Sequence, residues 1–526
     1  MKLNYKRIFL VSFAFFLITL FWQCYDTLIP KILTDKFGMS QTLSGIFMAL
    51  DNMLALFLLP LFGSISDKCK SKLGKRTPFV LIGTVLACVM FVSLSFADNW
   101  QLTNIKDITS DDKTAVMTEL YEHNSTVSYE VKGEDGAVRT ERKAIQDVFT
   151  EEEFLQIDIF KKDANGEPTK ELSDEYQKYV IPARQAYAWE RTVTNPAPMI
   201  VFIVILLFVL LSMSIFRSPA VALMPDVTPK PLRSKANAVV NMMGGIAGAL
   251  VLLLGMVFGT DKPENALMSY SVFFSVIAGL MIISLLIFMF TVKENKWAAE
   301  AKEVSAKYGV DDDEKEEAAK KGGRHLSKGE VVSLILILLS VAFWYIGYNS
   351  VTSKYSVYAT EVLGVGFNST LLVAMVVAFI AFVPVAILSS KLGRRKTILL
   401  GVALLATSFL IGAFLRKGTP EWIMYPIFGF AGIGWAAINV NSFPMVVELA
   451  TGSDVGKYTG FYYTASMAAQ AVAPVLGGVF LDWLGMEVLF PFGFVAVAIS
   501  FVTMLFVKHG DAKPTAKEII ESADND

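Results

Sequence analysis

Long apolar runs separated by short polar stretches dominate the chain, and the length of those runs is the first clue. A helix needs roughly 20 apolar residues to cross the hydrocarbon of a bilayer. Runs of that kind stand at about 8–30, 43–65, 78–97, 198–224, 236–258 and 269–292, then at about 331–356, 366–389, 397–415, 422–447, 459–481 and 487–507. The pattern predicts an all-α membrane protein with twelve transmembrane helices. The run from Ile8 to Pro30 is too long for a signal peptide and lacks a small-residue cleavage site, so it reads as the first membrane helix.

Two offsets show that the second six runs repeat the first six. Leu73-Gly74-Lys75-Arg76, after the second run, recurs as Leu392-Gly393-Arg394-Arg395, 319 positions on. The loop from Asp226 to Lys235 recurs as Glu448 to Lys457, 222 positions on. The offsets differ by 97, close to the length of a polar stretch between the third and fourth runs, so removing that stretch brings both pairs into register. Two parallel six-helix repeats follow, an arrangement known for major facilitator transporters. The expected units are 1–97 (three helices), 98–197 (an insert), 198–292 (three helices), 293–330 (a connector), 331–508 (six helices) and 509–526 (a tail).

Charge orients the bundle. Lys2, Lys6, Arg7, Lys68, Lys70, Lys72, Lys75, Arg76, Lys230, Arg233, Lys235, Lys391, Arg394, Arg395 and Lys396 fall in one set of short loops, against Lys31, Lys36, Lys262, Arg416 and Lys417 in the other. The positive-inside rule puts the richer set, and both termini, in the cytoplasm. The insert then lies outside; it carries 21 Asp/Glu against 12 Lys/Arg, with Val148, Phe149, Phe154, Leu155, Ile157, Ile159 and Phe160 available for a modest core. At the cytoplasmic ends, Asp67, Gly74, Lys75, Arg76, Asp226, Lys235, Arg394, Arg395, Glu448 and Lys457 are candidates for a gate whose charges pair across the halves when it is shut.

Composition narrows the chemistry. With 54% hydrophobic and 18% charged residues, 39 Phe and a mean hydropathy of +0.49, the chain has lipid as its main solvent. Cys24, Cys69 and Cys88 offer no disulfide framework or metal cluster, and His123, His325 and His509 lie in polar segments. A proton carried within the membrane must therefore ride on a carboxylate. No nucleophile–base pair, metal-ligand spacing or phosphate loop argues for an enzyme.

The stretch Ser66-Asp67-Lys68-Cys69-Lys70-Ser71-Lys72-Leu73-Gly74-Lys75-Arg76-Thr77-Pro78-Phe79-Val80 resembles the S-D-R-C-x-S-x-F-G-R-R-R-P-F-I loop of the plant-type sucrose/proton symporters and their relatives. Ser218 to Val227, followed by Ala236-Asn237-Ala238, is similar to their G-P-C-R-A-L-L-A-D-L and A-N-A, and Thr360-Glu361-Val362-Leu363-Gly364 to their T-D-W-M-G. The family's arginine in the fourth helix is Val221 here, with Arg217 one turn earlier. Lys75 to Thr84 also resembles the sodium- or proton-coupled glycoside symporters, whose D-x-x-x-D-P cation site is replaced by Ala55 and Leu59 before Pro60.

That resemblance implies a proton-coupled sugar symporter working by alternating access. Asp26 and Asp51, in the first and second helices, are the coupling candidates, together with Arg217. At 1.5 Å per residue, Asp26 lies roughly 28 Å and Asp51 roughly 24 Å from the cytoplasmic ends of their helices, and Arg217 roughly 14 Å. A sugar would be held by aromatic faces and amides at membrane depth: Trp22, Gln23, Asn52, Asn241, Trp344, Tyr345, Tyr348, Asn349, Trp435, Asn439, Asn441, Tyr463 and Gln470 are the candidates. No cofactor is expected, with the proton as coupling ion. The expected partners are a small-molecule substrate, sugar or glycoside, and the lipid of the plasma membrane; no nucleic acid is expected, and the protein is expected to be a monomer. A facilitator for another small molecule, such as a drug or nucleoside exporter, and a sensor that uses the insert both remain open at this point.

Overall fold

The computed structural model describes residues 3–132, 138–163, 165–229, 232–307, 327–449 and 455–511. Twelve long helices form the body: α1 Tyr5–Lys36, α2 Gln41–Asp67, α3 Thr77–Asn104, α4 Ala197–Asp226, α5 Arg233–Phe258, α6 Ser271–Thr291, α7 Lys328–Leu363, α8 Phe367–Leu392, α9 Arg394–Gly412, α10 Glu421–Glu448, α11 Val455–Leu484 and α12 Leu489–Leu505. Among the described residues, eleven are long and apolar enough to cross a membrane, and α8 contributes the shorter apolar stretch Phe367–Phe382.

The halves repeat each other in packing. In the first, α1 packs on α5 and α6, α4 on α2 and α3, and α3 on α6; in the second, α7 packs on α11 and α12, α10 on α8 and α9, and α9 on α12. The repeat reaches local detail. Gly74 and Gly393 both have positive φ, which glycine adopts without a Cβ clash, and each faces a carboxylate that follows its half's last helix: Glu294 after α6 and Asp511 after α12.

Several helices outrun the expected spans. The first apolar run ends at Pro30, yet α1 continues to Lys36, so Lys31 and Lys36 are buried helix residues rather than loop residues. Ion pairs permit this: Lys36 Nζ meets Asp98 of α3 at 2.6 Å and the Met268 carbonyl at 2.7 Å. Likewise α3 extends to Asn104, beyond the expected end at 97.

Between α3 and α4 the insert folds around its own core, in which Ile105, Leu120, Ile145, Phe154, Ile157, Leu172 and Tyr187 are buried. Phe149, Leu155, Ile159 and Phe160 pack against that core. Two antiparallel hairpins, β1 Thr126–Lys132 with β2 Val138–Ala144 and β3 Phe160–Lys162 with β4 Pro168–Leu172, and helices at Lys113–His123 and Ile181–Thr194 make up its frame. After α6, a helix at Glu294–Lys307 opens the connector.

The halves meet mainly at the insert face. There a Cβ on Gly45 of α2 would come 2.2 Å from the Pro474 carbonyl of α11, and one on Gly478 would come 2.3 Å from that of Gln41. Asp482 of α11 accepts from the Gln41 and Thr42 amides at 2.8 and 2.7 Å, capping the first turn of α2, and Lys354 of α7 donates to the Gln41 carbonyl at 2.7 Å. Asn368 of α8 reaches Thr260, past the end of α5, at 3.2 Å. At the opposite face, which carries the basic loops, no ion pair among the described residues joins the halves.

Overpacking a tight contact costs about 1–3 kcal/mol, enough to reverse a balanced two-state population. Gly478→Ala is therefore expected to part the halves at the insert face. Electron-paramagnetic distance measurement between spin labels at Glu264 and Leu484 checks this, with a longer mean distance in the variant.

Candidate functional site

The stripe Phe15, Thr19, Trp22, Gln23 and Asp26 faces inward on α1, a helix surrounded by α4, α5, α6 and α7. Asp26 is solvent-exposed although it sits well inside the bundle. A carboxylate at that position cannot face lipid, so the exposure marks an open interior cavity between the halves.

Asp51 of α2 and Arg217 of α4 reach the same region, close enough to Asp26 for the three charges to act on one another. Arg217 makes no salt bridge to either acid; its guanidinium lies 5.0 Å from the centre of the Trp22 ring. Asn52 donates its amide to Asp51 at 2.7 Å. Arg217 thus balances two acids without being consumed by one, an arrangement in which a proton or a ligand can change the balance.

Opposite stands an aromatic wall from the second half. Tyr348 of α7 stacks on Trp435 of α10 with ring centres 3.9 Å apart and planes within 6°, and Tyr345 meets the same indole edge-on at 5.6 Å. Tyr348 also lies within electrostatic range of Asp26, which connects the two halves of the site. Helical spacing explains the cluster, because Tyr345 and Tyr348 are one turn apart on α7. Asn349 and Asn439 donate to the Tyr345 and Trp435 carbonyls, both at 2.9 Å, and Gln470 to that of Ser466 at 3.2 Å. Tyr463 is half exposed beside Phe443 and Tyr462. Gln23 borders Gly248 of α5, and Asn241 is exposed nearer the start of that helix.

Two of the expected binding residues are buried in the protein. Trp344 is fully buried in the core, while its helix neighbours Tyr345 and Tyr348 meet Trp435. Asn441 is also buried; it donates to the Ala437 carbonyl at 2.8 Å and accepts from Ser389, tying α10 to α8. Tyr462 was missed: it hydrogen-bonds Ser442 at 2.9 Å and the Tyr345 phenol, joining α11 to the aromatic wall. One aromatic in the run Phe461-Tyr462-Tyr463 carries no sequence signal that separates it from its neighbours.

Among the described residues, the charged loops pair within halves. Arg76, 5% exposed, donates to Asp226 at 2.8 Å, to Asp67 at 2.5 Å and to Ser66, tying α2, α3 and α4 together. Burial opposes its charge, but Asp226 and then Asp67 more than offset this, and its pKa stands above the ordinary arginine value. Lys75 gives only its backbone amide, to Glu294. In the second half Arg395 caps α12 through the Leu505 carbonyl at 2.5 Å, and Arg394 starts α9 half-buried. The side chains of Lys235, Glu448 and Lys457 lie outside the described residues. The unforeseen member is Glu294, 3% exposed, which accepts from the Lys75, Arg76 and Thr77 amides at 2.6, 2.9 and 2.8 Å and from the Thr77 hydroxyl at 2.8 Å. It lies beyond the loop motif, in a segment that reads as generic charged connector.

Two six-helix repeats, joined at one face and parted around a central polar cavity, define a membrane transporter rather than an enzyme. The family model described as Major Facilitator Superfamily matches residues 186–387 and 369–523, and the one described as MFS/sugar transport protein matches residues 11–108. The chain belongs to the Major Facilitator Superfamily. It is 32% identical over 62 residues to the sucrose transport protein SUT3 of Oryza sativa subsp. indica, a match covering 12% of each chain. The inward-open xylose transporter XylE from E. coli shares its fold, with a TM-score of 0.58 at 12% identity over 99% of this chain and 100% of that one. A D-xylose-proton symporter gives 0.55 at 12% identity over 96% and 98%, and a peptide transporter POT gives 0.56 at 12% identity over 95% and 94%.

A buried carboxylate that accepts several hydrogen bonds leaves them all unmade when it is removed. Glu294→Ala is expected to cost about 1.5–3 kcal/mol and to lower the melting temperature of the purified protein. Asp67→Asn, at a carboxylate that is 61% exposed, should change it much less.

Proposed function

We propose that this transporter is a proton-coupled symporter for a sugar or glycoside, with the basic-loop face in the cytoplasm and the insert outside, in the plasma membrane. The observation that carries the reading is the central cluster: two carboxylates and one unpaired arginine from the first half, facing a stacked Tyr348–Trp435 wall from the second. Asp26, Asp51 and Arg217 act on one another, so a proton taken up by either acid, or a ligand that engages Arg217, changes the charge balance of the cluster. Protons load from the side to which the cavity is open, and the tyrosine and tryptophan faces suit the C–H surfaces of a sugar ring. The match to a rice sucrose transport protein and to the sugar-transport model over the first three helices supports the same substrate class.

The conformation fits one step of the cycle. The insert face is shut by Asp482, Lys354 and the glycine contacts, while at the basic-loop face no ion pair among the described residues joins the halves. This is the arrangement of substrate release to the cytoplasm. In the outward-open form the loop charges exchange partners across the halves and the insert-face bonds break.

Two experiments test the proposal. Labelled sucrose and maltose should accumulate in vesicles under an imposed pH gradient, and adding sugar should alkalinise the medium; no alkalinisation with any saccharide tested would sink proton–sugar symport and favour another small-molecule cargo. Asp51→Asn and Asp26→Asn should abolish gradient-driven accumulation while leaving exchange, and Trp435→Ala should raise the apparent KM roughly tenfold, the loss of ~1.4 kcal/mol of stacking. Accumulation that survives both acid substitutions removes them as the proton carriers.

A further inference from the structure

Away from the central cluster, four charged side chains from three parts of the chain converge at the insert face. Lys31 and Asp35 come from the end of α1, Glu361 from the end of α7, and Arg184 from the insert helix Ile181–Thr194. Lys31 Nζ lies 3.5 Å from Asp35 Oδ2 and donates to the Thr360 hydroxyl at 3.2 Å. The Glu361 carboxyl hydrogen-bonds that of Asp35 and accepts from the Gln185 amide of the insert at 2.7 Å. Gln177 of the insert donates to the carbonyls of Glu361 and Val362.

Arg184 is 7% exposed, and its one hydrogen bond is to the Tyr176 phenol at 3.4 Å, leaving Nε without a partner among the described residues. Burial opposes its charge, but Tyr176, Asp35 and Glu361 more than offset this, and its pKa lies above the ordinary arginine value. The remaining charged neighbours are Lys36, Asp98 and Asp261, the last of which lies past the end of α5 near Lys31. Lys36 and Asp98 satisfy each other at 2.6 Å, and Tyr270 lies beneath the Lys36 ammonium.

Asp35 and Glu361 belong to opposite halves, so their carboxyls meet only while the insert face is shut. Two touching carboxylates cannot both stay ionised in a buried site without compensating charge. Lys31 offsets one of them. The second needs a cation from elsewhere; Lys36 also lies near Asp35 but is held by Asp98, which leaves Arg184 as the cation available to the pair among the described residues.

We propose that the insert is a working part of the gate: Arg184 supplies the charge that allows Asp35 and Glu361 to be buried together, so closure of the insert face depends on the insert. A cleft of about 520 Å³, bounded by Gly38, Gln41, Gln185, Trp189, Glu361 and Asp482, opens beside the acids and gives outside protons a path to Glu361. Without Arg184, closure requires a proton on one of the two carboxyls.

The test uses full-length protein in lipid, labelled at Glu264→Cys and Leu484→Cys in a Cys69→Ser background, and reads the distance between the labels. At about pH 7.5, R184Q is expected to shift the main population to the longer, outside-open distance, while R184K keeps the short one. Adding E361Q to R184Q removes the surplus negative charge and should restore the short distance, as should lowering R184Q alone to about pH 5. An unchanged distribution in R184Q overturns the proposal. So does a lengthened distance that E361Q fails to restore, because Arg184 would then act by folding the insert. No substrate enters the readout, so this result is independent of the sugar reading.

Discussion

Every charge drawn into the apolar interior has to be met by another, because an unmatched ion there costs several kcal/mol. That constraint organises this protein at three levels. At the basic-loop face, Arg76 is met by Asp67 and Asp226, and Glu294 by a helix N-terminus, all within one half. At the insert face, Asp482, Lys354, Lys31 and Glu361 each bond a group from the other half or from the insert. In the centre, two acids share one arginine that is bonded to neither. The structure is therefore stiff where charges match locally, switchable where they match across the seam, and responsive where matching is incomplete.

The repeat shows how the stiff part is made. In each half a glycine with positive φ opens the third helix, and a carboxylate from beyond the sixth helix settles against it: Glu294 on Gly74, Asp511 on Gly393. The acids lie 217 positions apart, near the 222 that separates the loops after α4 and α10. Each six-helix unit is thereby clasped from its far end, so that it can move as one body when the other face opens.

Much of this was legible in the sequence, for physical reasons that can be named. The helix positions follow from run length, and the repeat from loop motifs that need glycine and arginine at fixed places. Rise per residue gives Asp26 and Asp51 similar depths and sets Arg217 nearer the cytoplasmic end, whereas the structure brings the three into one cluster. Three things were hidden. Lys31, Lys36 and Lys354 look like span-ending charges, and only their partners, distant in sequence, show why α1 and α7 carry them inside. Helix rotation decides that Trp344 faces the core while Tyr348 faces the cavity, and a uniformly apolar helix does not encode its rotation in periodicity. Finally, the role of Glu294 depends on chain tracing through a connector whose composition resembles any solvated helix.

The insert leaves the first half at α3 and returns to it at α4, while Gln177, Gln185 and Asp174 hold the second half at Glu361, Val362 and Lys417. A strap fixed at both ends to one body can release the other without drifting away. Its rebinding is unimolecular, at an effective concentration in the millimolar range for a short tether. A separate subunit making the same contacts would have to be present at that concentration to act as promptly, and its effect would vary with expression level. Carrying the strap within the chain makes each molecule's gate independent of how many neighbours it has.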